Sequence, residues 1–451
     1  MLADDCENDY YRFGDIYLVG PGVVVISHPE DCKKVLFNHR FVKNKFYRAF
    51  ALIEDNIYAT QSTQLAMLRR RQLRHAFTPG YLKQMESTML QCGLLLLKKR
   101  WDSRLGKQKQ IQVQMENEFM HLAVGVIGAL GYGQGPTNWN SHTRSQLIQW
   151  IHDYNLLSLV RLLVPLADKF PISLLFTHLI QSKCQFALSV DSAAESRLNE
   201  CQQSKANRKA DILQALLEGE DLESGSRMTR QQVVAENIAI IIASTDIVAQ
   251  TLTWVFHYLL LCPHIYRKAA EEVRNAFSHT HLITFDEAKA QLPYVEACIY
   301  EAARIRAATG VFLPRVVPNE GVWIQGHFLP AGTQIGINIA GANHHRETWH
   351  DPQIFRPERF INNPQSKAHV LSFSAGVRMC PGKNLALYEL LTTTANLLKD
   401  YEFSLPNSAR FGRGKVDQSG RPVAMPRAHR FTSVGPKYPH RDCQVIVQKA
   451  Q

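Results

Sequence analysis

The sequence predicts a mainly α protein with a small β region. Three observations carry this. Helical periodicity fills 61–105, 108–133 and 143–204. One apolar run, 229–262, is bounded by a helix-start signal and a proline. Strand-like segments are short and confined to 15–28, 311–340 and the tail.

Residues 15–28, DIYLVGPGVVVISH, place two β-rich runs around Gly20-Pro21-Gly22, which predicts a hairpin. Pro29 then opens a short helix to about Phe37, because its fixed φ suits a first helical turn. The helical stretch 61–105 holds Arg69-Arg70-Arg71, and polar breaks near Gly135-Pro136 separate the next two helical stretches. A polar surface connection follows at 204–229, with one short amphipathic run at 211–219. Thr229-Arg230-Gln231-Gln232 matches a capping box, and Pro263 stops the helix it starts. Another helix runs from Pro293 to about Arg306, and a last one from about Asn384 to Leu398. Residues 343–380 read as mostly irregular, and the tail 402–451 as turn-rich with a strand-like Cys443–Val447.

The helix from 229 to 262 would span roughly 50 Å at 1.5 Å per residue. From Ile238 to Tyr266 it carries no Lys, Arg or Glu, and Asp246 is its only acid. A membrane span has that profile. Ser244, Thr245, Asp246, Gln250, Thr251, Thr253 and His257 argue instead for a helix buried inside a protein, since an acid in lipid is costly.

With 451 residues, the chain holds either two or three domains or one unusually large one. The net charge of +11 comes from 51 Lys+Arg against 40 Asp+Glu, scattered rather than striped. That pattern argues against nucleic acid. It suits an acidic protein partner or an anionic membrane surface. Nine cysteines with no C-x-x-C spacing read as reduced, mostly buried intracellular thiols, with one exception. Met1–Tyr11 is acidic and polar, with no apolar segment of the secretory type. His344-His345 does not read as a metal site, because adjacent side chains in an extended segment diverge.

The exceptional cysteine lies in Phe373-Ser374-Ala375-Gly376-Val377-Arg378-Met379-Cys380-Pro381-Gly382, an irregular loop running into a helix. A Cys ahead of a helix N-terminus sits where free N–H groups favour thiolate. Gly376 and Gly382 permit tight turns and close backbone approach to a flat ligand. Arg378 offers a cation to an anionic group on that ligand. The loop resembles the haem-binding loop of the cytochrome P450 family, F-x-x-G-x-R-x-C-x-G, complete at every fixed position. The resemblance implies haem b with Cys380 as the axial thiolate to iron, donating electron density that favours O–O cleavage.

Further motifs follow in the family's order. Glu301-Ala302-Ala303-Arg304 resembles its E-x-x-R element, and Pro357-Glu358-Arg359-Phe360 its P-E-R-F element. The resemblance implies a buried structural network of Glu301, Arg304 and Arg359 behind the haem loop. Arg70, counted back from Ala76-Phe77, resembles a haem-propionate ligand, as do Arg315 in Leu313-Pro314-Arg315 and Arg378. Ala66 stands where the family usually has an aromatic residue or His, so one propionate contact is missing. Ala243-Ser244-Thr245-Asp246-Ile247-Val248 resembles the oxygen-activating segment of the family's long helix, with the acid at Asp246. Ser244 replaces its Gly and Ile247 its proton-delivering Thr. Asp246, Ser244 and Thr245 are therefore the proton-relay candidates.

The resemblance implies one mainly α haem-thiolate domain over 1–451, similar to the fungal secondary-metabolism branch. It implies a monomeric monooxygenase of a lipophilic small molecule. Electrons would come from NADPH through NADPH-cytochrome P450 reductase, whose acidic face would meet basic residues around the Cys loop. Ile247 keeps a haem-thiolate isomerase, dehydratase or desaturase-type catalyst open, as does a catalytically silent truncated product. Residues 48–62, 155–185, 239–247 and 308–313 are expected to line the pocket, with Ile240, Val311 and Phe312 making it apolar. Because the hairpin stands almost at the start of the sequence, no counterpart of the family's N-terminal anchor, hinge and first helix is expected ahead of it. The chain is thus expected to be intracellular: on the endoplasmic-reticulum surface if a fuller form carries the anchor, otherwise cytoplasmic. The apolar region Leu156–Ile180 offers membrane-surface contact in either case.

Overall fold

The structure, a computed structural model, describes residues 5–133, 141–203, 208–309, 312–412, 415, 425–430 and 433–450. Gly135-Pro136 and Val311 lie outside the described residues.

The fold is organised around the helix Arg230–Leu261. Its capping box forms as predicted: Thr229 Oγ1 accepts the Gln232 N–H at 3.3 Å, and Gln232 Oε1 accepts the Thr229 N–H at 3.0 Å. Val234, Ile238, Ile241, Leu252, Val255 and Leu259 are buried along it, chiefly against the helix Met115–Tyr132. It is long and apolar enough to cross a membrane by length and composition. Those side chains instead fill the largest hydrophobic core, and the polar residues among them are bonded within the protein. Pro263 does more than end it, because it is the first residue of the next helix, Pro263–Ala276.

The hairpin forms as Ile16–Gly20 against Val23–Ile26. Its second strand pairs in parallel with Gln334–Ile337, which pairs antiparallel with Leu313–Val316. An isolated bridge adds Lys43 beside Arg315 at this edge. A helix, Asp5–Phe13, precedes the hairpin, where the sequence reading expected none.

Three stretches differ from the sequence reading. Ile111–Gln114 is a strand, not helix, because it pairs with Gln444–Lys449, which also pairs with Tyr401–Ser404. No local signal announces that partner more than 300 residues away. The stretch 61–105 is interrupted where Thr78 caps the new helix Pro79–Met89, its Oγ1 accepting from the Tyr81 N–H at 3.4 Å. The stretch 143–204 is two helices, Ser141–Leu163 and Thr177–Gln203, and Leu163, Leu166, Phe170, Leu174 and Leu175 are exposed between them. Of the cysteines, Cys32, Cys92, Cys298 and Cys443 are buried, whereas Cys184 is exposed.

Candidate functional site

Cys380 sits at the end of a turn that closes on itself: its N–H donates to the Phe373 carbonyl at 2.9 Å. Ser374 and Gly376 both lie in the left-handed region, with φ of 58° and 65°. A Cβ on Gly376 would fall 2.3 Å from the Leu36 carbonyl oxygen. That glycine is therefore demanded by the helix Pro29–Phe37, against which the loop packs, rather than by a flat ligand. Gly382 differs, since a Cβ there would meet only Cys380 Sγ and the Phe77 ring, each at 3.9 Å. Its own N–H bonds the thiol.

Burial pushes the Cys380 thiol up, against the Gly382 N–H, Arg70 and Lys383, which all lower it. The helix-terminal stabilisation expected for a thiolate is present, but burial outweighs it. A cation at Sγ would reverse the balance, because a coordinating thiol is deprotonated outright.

The turn is held from behind by a buried ionic network. Glu301 and Arg304, at i and i+3 on the helix Pro293–Ile305, are both wholly buried and doubly bonded at 2.8 and 2.9 Å. Arg359 Nε reaches Glu301 Oε1 at 3.1 Å. The predicted triad is thus assembled, and it is no surface ion pair. The Arg304 guanidinium also donates to the Asn343 and Pro352 carbonyls, each at 2.7 Å. Asn343 carries the connection onward: its Oδ1 accepts the Leu371 N–H at 2.9 Å and its Nδ2 donates to Ser372 Oγ at 3.0 Å. The network therefore ends at the residues that begin the Cys turn. Further along the Cys-side helix Lys383–Asp400, Glu389 is buried and borders a small cavity with Glu86, Leu122 and Val126. Its Oε2 has no hydrogen-bond partner among the described residues, and burial pushes its carboxyl up to about 8.

The three arginines of the basic triplet diverge. Arg69 is buried and meets Glu236 at 3.4 Å, and Arg71 is paired with Asp221 at 2.6 Å. Arg70 alone turns to the Cys loop, donating to the Met379 carbonyl at 2.7 Å. Arg378 donates to the Ser62 carbonyl at 3.0 Å. Arg315 is buried and donates to the Tyr47 hydroxyl at 2.9 Å. Burial, Arg315 and Arg70 bring the Arg378 guanidinium down to about 10. Among the described residues, none of Arg70, Arg315 and Arg378 forms an ion pair with a carboxylate. A group bearing carboxylates and a thiophilic metal has the chemistry this cluster lacks, so the residues fit haem.

On the long helix, Ala239, Ile242, Ala243, Asp246 and Ile247 retain solvent access, as does Ser244 beside them, while Ile238, Ile240, Ile241, Thr245 and Val248 are buried. The i, i+3, i+4, i+7, i+8 spacing of the first five puts them on one face. Asp246 Oδ2 accepts from Ser433 Oγ at 2.5 Å, and Ser433 bridges Thr309. Thr245 is off this face: it is fully buried, and its hydroxyl donates to the Ile241 carbonyl at 2.8 Å. Ser244 also donates to its own helix, at 2.6 Å to Ile240. Ile240 itself is buried rather than on the open face.

Four residues near these groups were missed in the sequence. They are Lys43, Glu236, Glu389 and Ser433, each defined by contacts across distant segments. Glu236 accepts the Ile57 N–H with both oxygens, at 2.9 and 3.1 Å, which anchors the 51–62 segment to the long helix.

The chain matches the family described as Cytochrome P450 over residues 2–412. It is 36% identical over 445 residues to the cytochrome P450 monooxygenase helB3 of Aspergillus fumigatus, covering 97% of this chain and 87% of that one. The helB2 and helB1 monooxygenases of the same organism are 34% and 33% identical, over 98% and 99% of this chain and 88% and 77% of theirs. The chain belongs to the cytochrome P450 family.

Proposed function

We propose that this cytochrome P450 is a haem-thiolate monooxygenase of a lipophilic small molecule in fungal secondary metabolism. The observation that carries this is the Cys380 turn itself, where Arg70 acts on the thiol and on the Met379 carbonyl, and where Arg70, Arg315 and Arg378 have no carboxylate partner among the described residues. When bound, haem supplies the activation of dioxygen and the transfer of one oxygen atom to substrate.

The chain's own residues then have distinct tasks. Cys380 ligates the iron, with the Gly382 N–H and Arg70 stabilising negative charge on Sγ. Arg70, Arg315 and Arg378 hold the propionates, and Phe373 closes the turn through its carbonyl. Glu301, Arg304 and Arg359 fix the turn from behind. Asp246 handles protons from the open face of the long helix, with Ser433 holding its carboxylate. Ser244 shares that task as a hydroxyl whose lone pairs remain able to accept. Electrons come from NADPH through NADPH-cytochrome P450 reductase, which docks on basic residues about Lys383. The 1–451 chain acts as one monomeric domain. It is intracellular, and the apolar side chains between Leu163 and Leu175 rest on the endoplasmic-reticulum surface.

One observation favours the isomerase-, dehydratase- or desaturase-type reading. Ile247, on the open face, carries no hydroxyl, and Thr245 is turned away. Reconstitution with the reductase, NADPH and a panel of lipophilic substrates under heavy dioxygen separates these. A monooxygenase yields product with one labelled oxygen atom. Unlabelled isomerised or dehydrated product supports the alternative, and no turnover with any substrate supports a silent haem protein.

A further inference from the structure

Asp246 is the one acid on the open face of the long helix, and the hydroxyls nearest to it along the chain are committed elsewhere. Ser244 donates to the Ile240 carbonyl at 2.6 Å, Thr245 to that of Ile241 at 2.8 Å and Thr251 to that of Ile247 at 2.7 Å. Each directs its proton into its own helix. Ser433 does not. Its Oγ donates to Asp246 Oδ2 at 2.5 Å, a length typical of a hydroxyl bonded to a carboxylate. Among the described residues it is the one side chain that hydrogen-bonds this acid. Ser433 is buried, at 5% exposure, and no N–H or O–H of the described residues donates to its Oγ. Its lone pairs are left to accept from a water.

The backbone on either side fixes this hydroxyl in place. Ser433 bridges Thr309, and the next N–H, of Val434, donates to the Ala308 carbonyl at 3.0 Å. Val434 opens the strand Val434–Pro436, and its carbonyl accepts from Trp254 Nε1 at 2.8 Å. A Cβ on Gly435 would fall 2.6 Å from Gln250 Oε1. Asp246, Gln250 and Trp254 stand at i, i+4 and i+8, so one stripe of the long helix meets 433–435 in register. We infer that Ser433 is a further positioning residue for the reaction, the alcohol that feeds protons to Asp246 from the C-terminal segment, a task for which Ile247 has no hydroxyl. The protons balance. Ser433 Oγ takes one from a water as its own passes to Asp246 Oδ2, and the water draws a replacement from bulk solvent. The hydroxyl ends as it began, and the carboxyl holds the proton at the open face. This rests on the monooxygenase reading above.

The test uses the full-length holoprotein with the reductase, NADPH and dioxygen, without added substrate. Dioxygen is then reduced to peroxide or to water, and water takes more protons, so a weaker relay favours peroxide. Ser433→Ala should lower the water-to-peroxide ratio about tenfold, short of the full effect of an acid–base group because Ser433 acts through Asp246. Ser433→Thr keeps the hydroxyl and should stay within about threefold of wild type. Ile247→Thr adds an alcohol beside the acid and should raise the ratio more in Ser433→Ala than in wild type. A second readout needs no turnover. In denaturant unfolding of the holoprotein, Ser433→Ala and Asp246→Ala should couple by about tenfold in the folding equilibrium, the low end for a hydrogen bond to a charged group. The proposal is overturned if Ser433→Ala keeps the wild-type ratio, if wild type makes peroxide alone, or if the two alanine changes do not couple. It is equally overturned if Ser433→Ala and Ser433→Thr lower the ratio alike and Ile247→Thr adds the same factor in both backgrounds, which marks a packing role. If Ser433→Ala does not fold, Ser433→Cys decides: its weaker S–H donor lowers the ratio if the hydroxyl feeds the acid, and an unchanged ratio refutes it. A wild type that shows the thiolate-type spectrum yet consumes no dioxygen with NADPH would sink the monooxygenase reading itself, a result distinct from these.

Discussion

The Cys side of the molecule and the long-helix side are built to different tolerances. Behind the Cys turn, a wholly buried carboxylate and two guanidiniums satisfy one another and hand their geometry to the turn through Asn343 and Ser372. On the long helix, Asp246 is held by the Ser433 hydroxyl from a distant segment, and Ile247 beside it offers no proton. The first region follows the family pattern at every position. The second departs at Ser244 and Ile247. The contrast teaches that ligand binding and oxygen chemistry are separately supported here, so variants on one side should leave the other intact.

The largest effect should come from the network. Glu301→Ala strands two buried guanidiniums and should cost about 3–5 kcal/mol, leaving little haem-loaded protein. Thermal unfolding with haem titration measures it. A stable, haem-loaded Glu301→Ala would break the comparison on the Cys side. On the long helix, Asp246→Asn should cut product formation on the order of 10²-fold while leaving the carbon monoxide spectrum of the reduced protein unchanged. Ile247→Thr should do the reverse and lower peroxide release per NADPH consumed, measured in the same reconstituted assay. Equal peroxide release in both proteins would count against a proton-delivery gap.

The two loop glycines sharpen the comparison further. Gly376→Ala forces a Cβ onto the Leu36 carbonyl at a positive φ and should destabilise by roughly 1–3 kcal/mol. Gly382→Ala meets nothing closer than 3.9 Å within the protein and should unfold, without haem, at the wild-type temperature. A further prediction concerns pH. The Glu389 carboxyl, pushed up from 4.5 to about 8, makes the folded chain hold a proton that the unfolded chain releases above about pH 4.5. Its contribution therefore favours the folded state least at alkaline pH, falling as pH rises from about 4.5 to 8. Glu389→Gln should lose that slope and gain on wild type above pH 8, as read from denaturant midpoints at several pH values. An identical slope in both proteins would place the charge elsewhere.

The capping box at Thr229 was legible because it is written in four adjacent residues whose chemistry is local, whereas the Cys turn and the Glu301–Arg304–Arg359 triad were legible through the family motifs they resemble, Arg359 standing 58 residues beyond Glu301. Arg70 was legible only by counting from Ala76-Phe77; nothing in Arg69-Arg70-Arg71 itself says that its members face three different partners. Lys43, Glu236 and Ser433 were not legible at all. Each acquires its meaning from a segment far along the chain: Arg315, Ile57 and Asp246 respectively. The strand at Ile111–Gln114 was missed for the same reason, its pairing with the C-terminal strand overriding local periodicity. Thr245 shows the converse error. Its residue type suited a relay, but helical geometry placed it on the wrong face.

Thiolate ligation by Cys380 is the claim on which both regions depend, and the carbon monoxide difference spectrum of the reduced holoprotein tests it most directly. Wild type should give the long-wavelength Soret band of a thiolate-ligated haem, and Cys380→Ala should abolish it in a protein that still folds. A wild-type protein that loads haem without that band, or a Cys380→Ala variant that retains it, would contradict the account.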